Sequence, residues 1–382
     1  MHLRSTSHHT PPRAAAIGAC LAAVALAACR ADAPAPGGTV QLGGTAAPVP
    51  AAAATGAAAG TVAPVPGMST AVPVQATTPP AGTPAPTAEA ATTATARFAA
   101  AMALVLPRYT ASFGVAGTEP GQITLPFDVA VAGDGGLFVS DSTGVQKFAA
   151  DGSFARRIGE GVLKRAEGIA VGPDDRLYVA GSGAEVLVFD AAGNPAGAVG
   201  AAGDRPGQLR KPIDVAVDRD GNLYVADAGN ARVEKFAPGG RHLLSIGERG
   251  TQSGQFTAPR SVAVDGSGRI YVGLGDDFLI QRFDRDGSYL DTFGQGTLDE
   301  TMFRIGGIAV DDRNRAYATQ AMGHALQVFD VATTPVYVGQ IGGKPGITAE
   351  QFNAPTGVAL GPGRLFVADT RNNRVQVFEI KP

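Results

Sequence analysis

Short apolar runs alternate with turn residues along most of the chain, and they recur in a fixed order. Each unit begins with a triplet such as VAV, followed by a Gly/Asp-rich turn and a second apolar run such as LYVA. A third run ends in phenylalanine, and a more polar fourth run ends near Ile-Gly or Phe-Gly. Short runs of β-branched and aromatic residues between turns are typical of strands. The central alanines of the six triplets are Ala130, Ala170, Ala216, Ala263, Ala309 and Ala359.

The spacing of these triplets predicts the fold. Their mean step is about 46 residues, which lies within the range of repeat architectures. Four strands per repeat is the arrangement of a β-propeller blade. The last unit stops after its third strand near residue 380, whereas YTASFG at 109–114 is a strand without a unit. We therefore predict an all-β, six-bladed propeller of four-stranded antiparallel blades, closed by this N-terminal strand, which would remove two open edges.

The first residues have the organisation of an export signal. A polar, mildly basic start precedes an apolar run at 14–28, which is too short to span a membrane comfortably. The run ends in Leu26-Ala27-Ala28-Cys29, which resembles the lipobox of bacterial lipoproteins. This resemblance implies cleavage after residue 28 and a lipid on Cys29, which would anchor the exported protein to a membrane. It also implies that Arg30, in place of an aspartate, favours the outer membrane over the inner membrane.

A compositional boundary separates the anchor from the repeats. Residues 29–104 are dominated by Ala, Pro, Thr and Gly and show no apolar periodicity. Such a segment buries too little area to offset its ordering entropy, so we predict a disordered tether. The propeller is predicted over 105–382. Because the only other cysteine, Cys20, would leave with the signal peptide, the folded part would contain no disulfide or thiolate metal site.

Two repeats are nearly identical: LYVADAGNARVEKF at 223–236 and LFVADTRNNRVQVF at 365–378. This pattern resembles the NHL repeat, and the resemblance extends over about residues 108–380. It implies a propeller of six or a similar number of blades. Some NHL proteins bind proteins, peptides or RNA. Others resemble the peptide-amidating lyase, gluconolactonases or streptogramin lyases, and the amidating lyase holds a metal at its channel.

Comparison of the six copies suggests a structural role for two acid–base pairs. The pairs are Asp227 with Arg232, and Asp369 with Arg374. Both members of each pair flank the loop between the second and third strands. We therefore expect ion pairs that hold this loop, with positive φ angles at the intervening Asn230 and Asn372.

The start of the innermost strand provides the candidate binding residues. This position is Asp128, Gly168, Asp214, Ser261, Gly307 and Gly357 in the six units. In a propeller it shares one face with the loop that carries Asp141, whose unit has Gly144 where an arginine would be. We therefore expect Asp128, Asp141, Asp214 and Arg260 around one channel mouth. The aspartates could bind a cation or a basic ligand group, or they could cap backbone N–H groups.

Motifs for catalysis are sparse. The predicted propeller has two histidines, His242 in a fourth strand and His324 in a loop, and their registers do not place them together. A catalytic zinc site usually needs three protein ligands. The Asp-x-Asp-Gly segments, such as 218–221, are predicted to be tight hairpin turns rather than calcium loops. No nucleophile elbow or phosphate loop is present.

Charge argues against a nucleic-acid partner. Residues 97–382 contain 28 Lys and Arg against 32 Asp and Glu, whereas phosphate binding favours a basic excess. We predict a monomeric, envelope-anchored binding module for a protein, peptide or glycan, without an obligatory cofactor. The sequence leaves open whether the channel binds a divalent cation. The alternative is a metal-dependent lyase or hydrolase of the amidating-lyase, streptogramin-lyase or gluconolactonase kind.

Overall fold

The computed structural model describes one part of the chain. This part comprises residues 106–381, apart from 164, 182, 276–278 and 295–304. The predicted signal peptide, the lipidated Cys29 and the predicted tether therefore lie outside the described residues. Within the described part, we find no helix with the length and apolar character needed to cross a membrane.

The first three blades follow one another along the chain. The strand β1 (Arg108–Phe113) precedes them. Blade 1 contains β2 (Asp128–Val131), β3 (Leu137–Asp141), β4 (Gly144–Phe148) and β5 (Phe154–Ile158). Blade 2 contains β6 (Ile169–Val171), β7 (Leu177–Val179), β8 (Val186–Phe189) and β9 (Pro195–Val199). Blade 3 contains β10 (Pro212–Val217), β11 (Leu223–Asp227), β12 (Arg232–Phe236) and β13 (His242–Ile246).

The remaining blades repeat this order after a short parallel pair, β14 (Glu248–Arg249) with β15 (Gln255–Phe256). Blade 4 contains β16 (Pro259–Val264), β17 (Ile270–Leu274), β18 (Ile280–Phe283) and β19 (Tyr289–Phe293). Blade 5 contains β20 (Ile305–Val310), β21 (Arg315–Gln320), β22 (Ala325–Asp330) and β23 (Val336–Gly342). Blade 6 contains β24 (Pro355–Gly361), β25 (Arg364–Asp369) and β26 (Arg374–Glu379), with a 3₁₀ turn at Thr370–Asn372.

The described residues form six four-stranded antiparallel sheets, as predicted. Each innermost strand contacts that of the next blade, and β24 contacts β2, so the ring closes. The sheet of blade 6 has the order β1-β26-β25-β24, and Tyr109 pairs with Phe378. N-terminal closure is therefore confirmed.

Burial explains why the strands of a blade differ in sequence. The second strands are almost fully buried between neighbouring blades, whereas the fourth strands are largely exposed. On five fourth strands an aromatic ring meets the edge of the third-strand phenylalanine, with ring centroids 5.6–6.2 Å apart. These pairs are Phe148–Phe154, Phe236–His242, Phe283–Tyr289, Phe329–Tyr337 and Phe378–Tyr109.

Candidate functional site

The innermost strands surround a central channel of about 270 Å³. Each strand contributes three consecutive aliphatic residues, such as Val215-Ala216-Val217, so the six repeated triplets form the wall. Asp128 and Asp214 lie at one end, and they are the charged residues of this lining. The repeat that defines the fold thus also forms an apolar channel with an acidic mouth.

Each channel aspartate links its own blade to the next one. Asp128 accepts a hydrogen bond from the backbone N–H of Ile169 in blade 2 at 2.8 Å. Asp214 accepts equivalent bonds from Val262 in blade 4 and from its own neighbour Val215, both at 2.9 Å. The carboxylates therefore do cap backbone donors, and each keeps part of its surface open to the channel. Because a carboxylate oxygen has two lone pairs, capping leaves acceptor capacity for a ligand.

Glycines in the neighbouring blades make room for the two aspartates. A Cβ atom added to Gly168 in blade 2 would lie 2.5 Å from the Cα atom of Asp214, and one added to Gly357 would lie 2.4 Å from that of Asp128. Any larger residue at either position would meet backbone. The glycine that precedes each aspartate around the ring therefore follows from the close approach of neighbouring inner strands.

Burial raises the pKa of both carboxyl groups. For Asp128 desolvation is the main cause and the nearby Asp214 charge adds to it, so that the pKa lies well above its usual range. Desolvation raises the pKa of Asp214 to about 7, against the opposing effects of the Val262 and Val215 N–H groups, Ser261 and Arg260. The charged forms are therefore costly here, and a bound cation would reduce that cost.

Arg260 and Ser261 lie close to Asp214, but neither is among the residues that line the channel. Arg260 is exposed, and its positive charge acts on Asp214 from beyond ion-pair distance. Ser261 is fully buried, and its Oγ atom has no regular hydrogen-bond partner among the described residues. The hydroxyl is near enough to Asp214 to oppose the increase in its pKa. Ser261 therefore acts on Asp214 from within the blade and not from the channel.

Asp141 is fully engaged in its own loop. It is 1% exposed and accepts hydrogen bonds from the backbone N–H groups of Thr124 and Thr143 at 3.2 and 2.7 Å. The Thr143 hydroxyl and the Gln146 amide also donate to it. Asp141 therefore fixes the segment that leads into β2.

The two predicted loop pairs differ. In blade 6 the Nε atom of Arg374 donates to Asp369 at 2.7 Å, as expected. In blade 3 the prediction was wrong, because Arg232 lies 2.5 Å from Glu234 instead, although without the angle of a regular hydrogen bond. Asp227 accepts the N–H groups of the segment leading into β10 and the amide of Asn230. A buried charge on the third strand attracts Arg232 away from Asp227.

The expected φ angles also need correction. The positive values belong to Ala231 and Asn373, one residue after the predicted Asn230 and Asn372. The side chains of those two asparagines instead donate to Asp227 and Asp369, at 2.6 and 2.8 Å. In these loops each asparagine therefore contributes a side-chain hydrogen-bond donor, and the residue after it adopts the left-handed backbone conformation.

The histidines do not form a metal site. His242 lies on β13 and its Nε2 atom is 2.7 Å from Glu234, while His324 accepts the N–H of Ala354 through Nδ1 at 3.1 Å. Burial lowers the pKa of His324, and the charge of Arg371 adds to this effect. No group of three or more His, Cys, Asp or Glu side chains suited to a metal is found in the described ranges. These residues do not fit a metal held by three such ligands.

Comparison with known proteins identifies the repeat. The model of the NHL repeat matches residues 209–236 and 352–378. The chain contains NHL repeats. No curated protein sequence matches the chain significantly.

Three solved structures share the fold of this NHL-repeat propeller at low sequence identity. A streptogramin B lyase has a TM-score of 0.52 and 11% identity, covering 73% of this chain and 99% of its own. The gluconolactonase XC5397 of Xanthomonas campestris has a TM-score of 0.50 and 19% identity, covering 72% and 95%. A protein of unknown function from Bacteroides thetaiotaomicron has a TM-score of 0.52 and 17% identity, covering 72% and 73%. At these identities the likeness shows the fold alone.

Proposed function

We propose that this NHL-repeat propeller is a binding module of the cell envelope. Its ligand would be a protein, peptide or glycan that presents a cationic group to the channel mouth. The proposal rests on one observation: Asp128 and Asp214 are costly to ionise, and neither has an ion-pair partner among the described residues. A ligand cation would supply the missing partner and release bound protons.

Binding of an oligolysine peptide, measured by calorimetry, tests this proposal. We expect the double variant Asp128→Asn and Asp214→Asn to lose most of the affinity, at least about tenfold, because both countercharges are removed. Asp286→Asn is the matched control, because this exposed aspartate lies in a hairpin turn at the other end of a blade. Equal affinity of the double variant and the control would refute the proposal, provided that both unfold like the wild type.

The location of the module is a separate proposal that rests on the sequence. The Leu26-Ala27-Ala28-Cys29 segment supports lipidation of Cys29, and Arg30 supports an outer-membrane destination. Metabolic labelling with a radioactive fatty acid should label the wild type but not Cys29→Ala, which should leave the membrane fraction. We expect Arg30→Asp to move the labelled protein to the inner membrane. Label on the alanine variant would contradict this proposal.

Metal analysis separates the module from the metal-dependent lyase or hydrolase. The names of two fold relatives, a streptogramin B lyase and a gluconolactonase, are the reason to test that alternative. Protein purified without chelators should contain well under one firmly held divalent ion per chain. About one ion per chain, lost on Asp128→Asn, would overturn the binding proposal in favour of the alternative.

A further inference from the structure

We propose that the channel accommodates one unbranched aliphatic ammonium group, with the nitrogen at the acidic mouth and the carbon chain along the aliphatic wall. This inference deepens the proposed function and rests on it. It commits to a primary alkylamine, rather than to an arginine-type group or a metal ion. The following features of the channel carry it.

The channel wall is uniformly aliphatic below the mouth. Its residues form three layers of six: a β-branched layer, an alanine layer and a layer of valines with one leucine. The first layer is Val129, Ile169, Val215, Val262, Ile308 and Val358, and the third is Val131, Val171, Val217, Val264, Val310 and Leu360. Such a wall offers a ligand chain no polar partner, so contact with it favours methylene groups.

The dimensions favour a slender ligand. The inner strands line the channel over four residues, or about 10 Å at the usual rise per residue. The volume of about 270 Å³ is smaller than the 300–1,000 Å³ of a typical site for a drug-sized ligand. An extended alkyl chain has the matching shape.

The polar groups at the mouth match an ammonium ion. Asp128 and Asp214 are the charged residues that line the channel, and both retain acceptor capacity for a ligand. An ammonium ion has three N–H donors, which suits a mouth that offers several carboxylate lone pairs. A guanidinium is a flat fork that is best matched by a single bidentate carboxylate, whereas both of these carboxylates already hold backbone donors.

A homologous series of primary amines tests the inference. Methylammonium to hexylammonium would be titrated into the protein at about pH 8, above the pKa of Asp214, and followed by NMR. Burial of each methylene is worth about 0.8 kcal/mol, so affinity should increase about fourfold per carbon until the channel is filled. A series with the same affinity at every length would overturn the inference.

A variant with a narrower channel provides a second test of the inference. Ala216→Val would add methyl groups to the alanine layer without touching the mouth. Hexylammonium affinity should then fall about tenfold or more, while methylammonium affinity stays unchanged. Ala359→Val, on the other side of the ring, is the second variant in case the first perturbs folding, which thermal unfolding would reveal. Unchanged hexylammonium affinity in a folded variant would contradict the inference.

The outcomes also separate this inference from the proposed function. If oligolysine and every amine fail to bind, the proposed function itself is wrong. If oligolysine and methylammonium bind but chain length has no effect, only the channel inference fails. A peptide with one internal lysine distinguishes the source of the alkylammonium group: weaker binding than that of butylammonium would indicate a free amine.

Discussion

Asp214 shows how burial and hydrogen bonding oppose each other at a single residue. Two backbone N–H groups stabilise its carboxylate, yet desolvation prevails and raises the pKa to about 7. In the unfolded chain the pKa would be about 3.9. The folded protein therefore binds an extra proton between about pH 4 and pH 7, and its stability is highest at the acidic end of this window.

This linkage predicts an unusual pH dependence for a carboxyl group. As pH rises from about 4.5 to 7.5, Asp214 should reduce the free energy of unfolding by up to about 1.4 kcal/mol per pH unit. Asp214→Asn should remove that contribution. It should also lower the pKa of Asp128, because the charge of Asp214 no longer raises it. Denaturant unfolding of both proteins across this range measures the difference. A wild-type slope that matches the variant slope would show that Asp214 ionises normally.

Gly168 makes the second prediction at this scale. An alanine there would place its Cβ atom 2.5 Å from the Cα of Asp214 and 2.8 Å from the carbonyl oxygen of Ile213, so backbone would have to shift. We expect Gly168→Ala to reduce the free energy of unfolding by about 1–3 kcal/mol. Gly183→Ala is the control, since a Cβ atom there meets nothing within 4 Å and should cost under about 0.5 kcal/mol. Equal stabilities would contradict the close approach.

Blade 3 departs from the other blades in a correlated way. Its third strand carries the buried Glu234. Blades 1, 4 and 6 have a glutamine at this position, and each residue accepts a hydrogen bond from the entering loop, which is the loop that leads into the innermost strand of the blade. The fourth strand has His242 where the fourth strands of blades 1, 4, 5 and 6 have Phe or Tyr. His242 and Ser245 each lie 2.7 Å from the Glu234 carboxylate, and Arg232 lies on its other side. Three polar neighbours thus accommodate the glutamate charge. Blade 6 has counterparts of two of them, Arg374 and Ser112, but has no counterpart of His242.

A double-mutant cycle tests this coupling. His242→Tyr should destabilise the protein by about 1–3 kcal/mol, because it restores the ring but leaves Glu234 with a poorer set of partners. Adding Glu234→Gln should recover part of that loss, giving an interaction energy of about 0.5–3 kcal/mol. Chemical denaturation of the four proteins measures the cycle. Additive effects would mean that the two exchanges are independent.

The entering loops were the element that sequence reasoning overlooked. Residues Gln122, Gln208, Gln255 and Gln351 occupy one position in four of these loops. Parallel backbone pairs form there, and third-strand side chains hold the loops in place. The signal was visible as Gly-x-x-x-Gly directly before Gln122, Gln208 and Gln255, with Glu350 in place of the second glycine before Gln351. The structural role of the motif could not be predicted, because the side chains that bond these loops lie on third strands 24 or more residues later in the chain.

Closure is the property of the whole molecule that controls its stability. The strand β1 completes blade 6 through pairing with β26, and Arg108 bonds Glu379 across this seam at 2.8 Å. Tyr109 packs on Phe378 and Phe113 on Phe148, so the strand joins blade 6 to blade 1. Without it, β26 would be an open edge and the ring would be held at one fewer seam.

Two truncations test this closure. A chain that begins at residue 106 should unfold within about 1 kcal/mol of the full chain. A chain that begins at residue 115 lacks β1 and should lose at least about 3 kcal/mol, since two aromatic side chains lose their burial. Denaturant unfolding with matched protein concentrations measures both. Equal stability of the two truncated chains would show that β1 is not needed to close the ring.

The sequence by itself determined the blade count, the strand order and the closing strand, because each depends on local periodicity that repeats six times. It also indicated the aspartates at the start of the inner strands. Only the tertiary structure decided that Arg232 pairs with Glu234, that hydrogen bonds within its loop occupy Asp141, and that Asp128 and Asp214 accept backbone N–H groups of neighbouring blades. Those features depend on distances between blades, and a pattern along one chain does not encode which of two nearby charges is closer once the ring has formed.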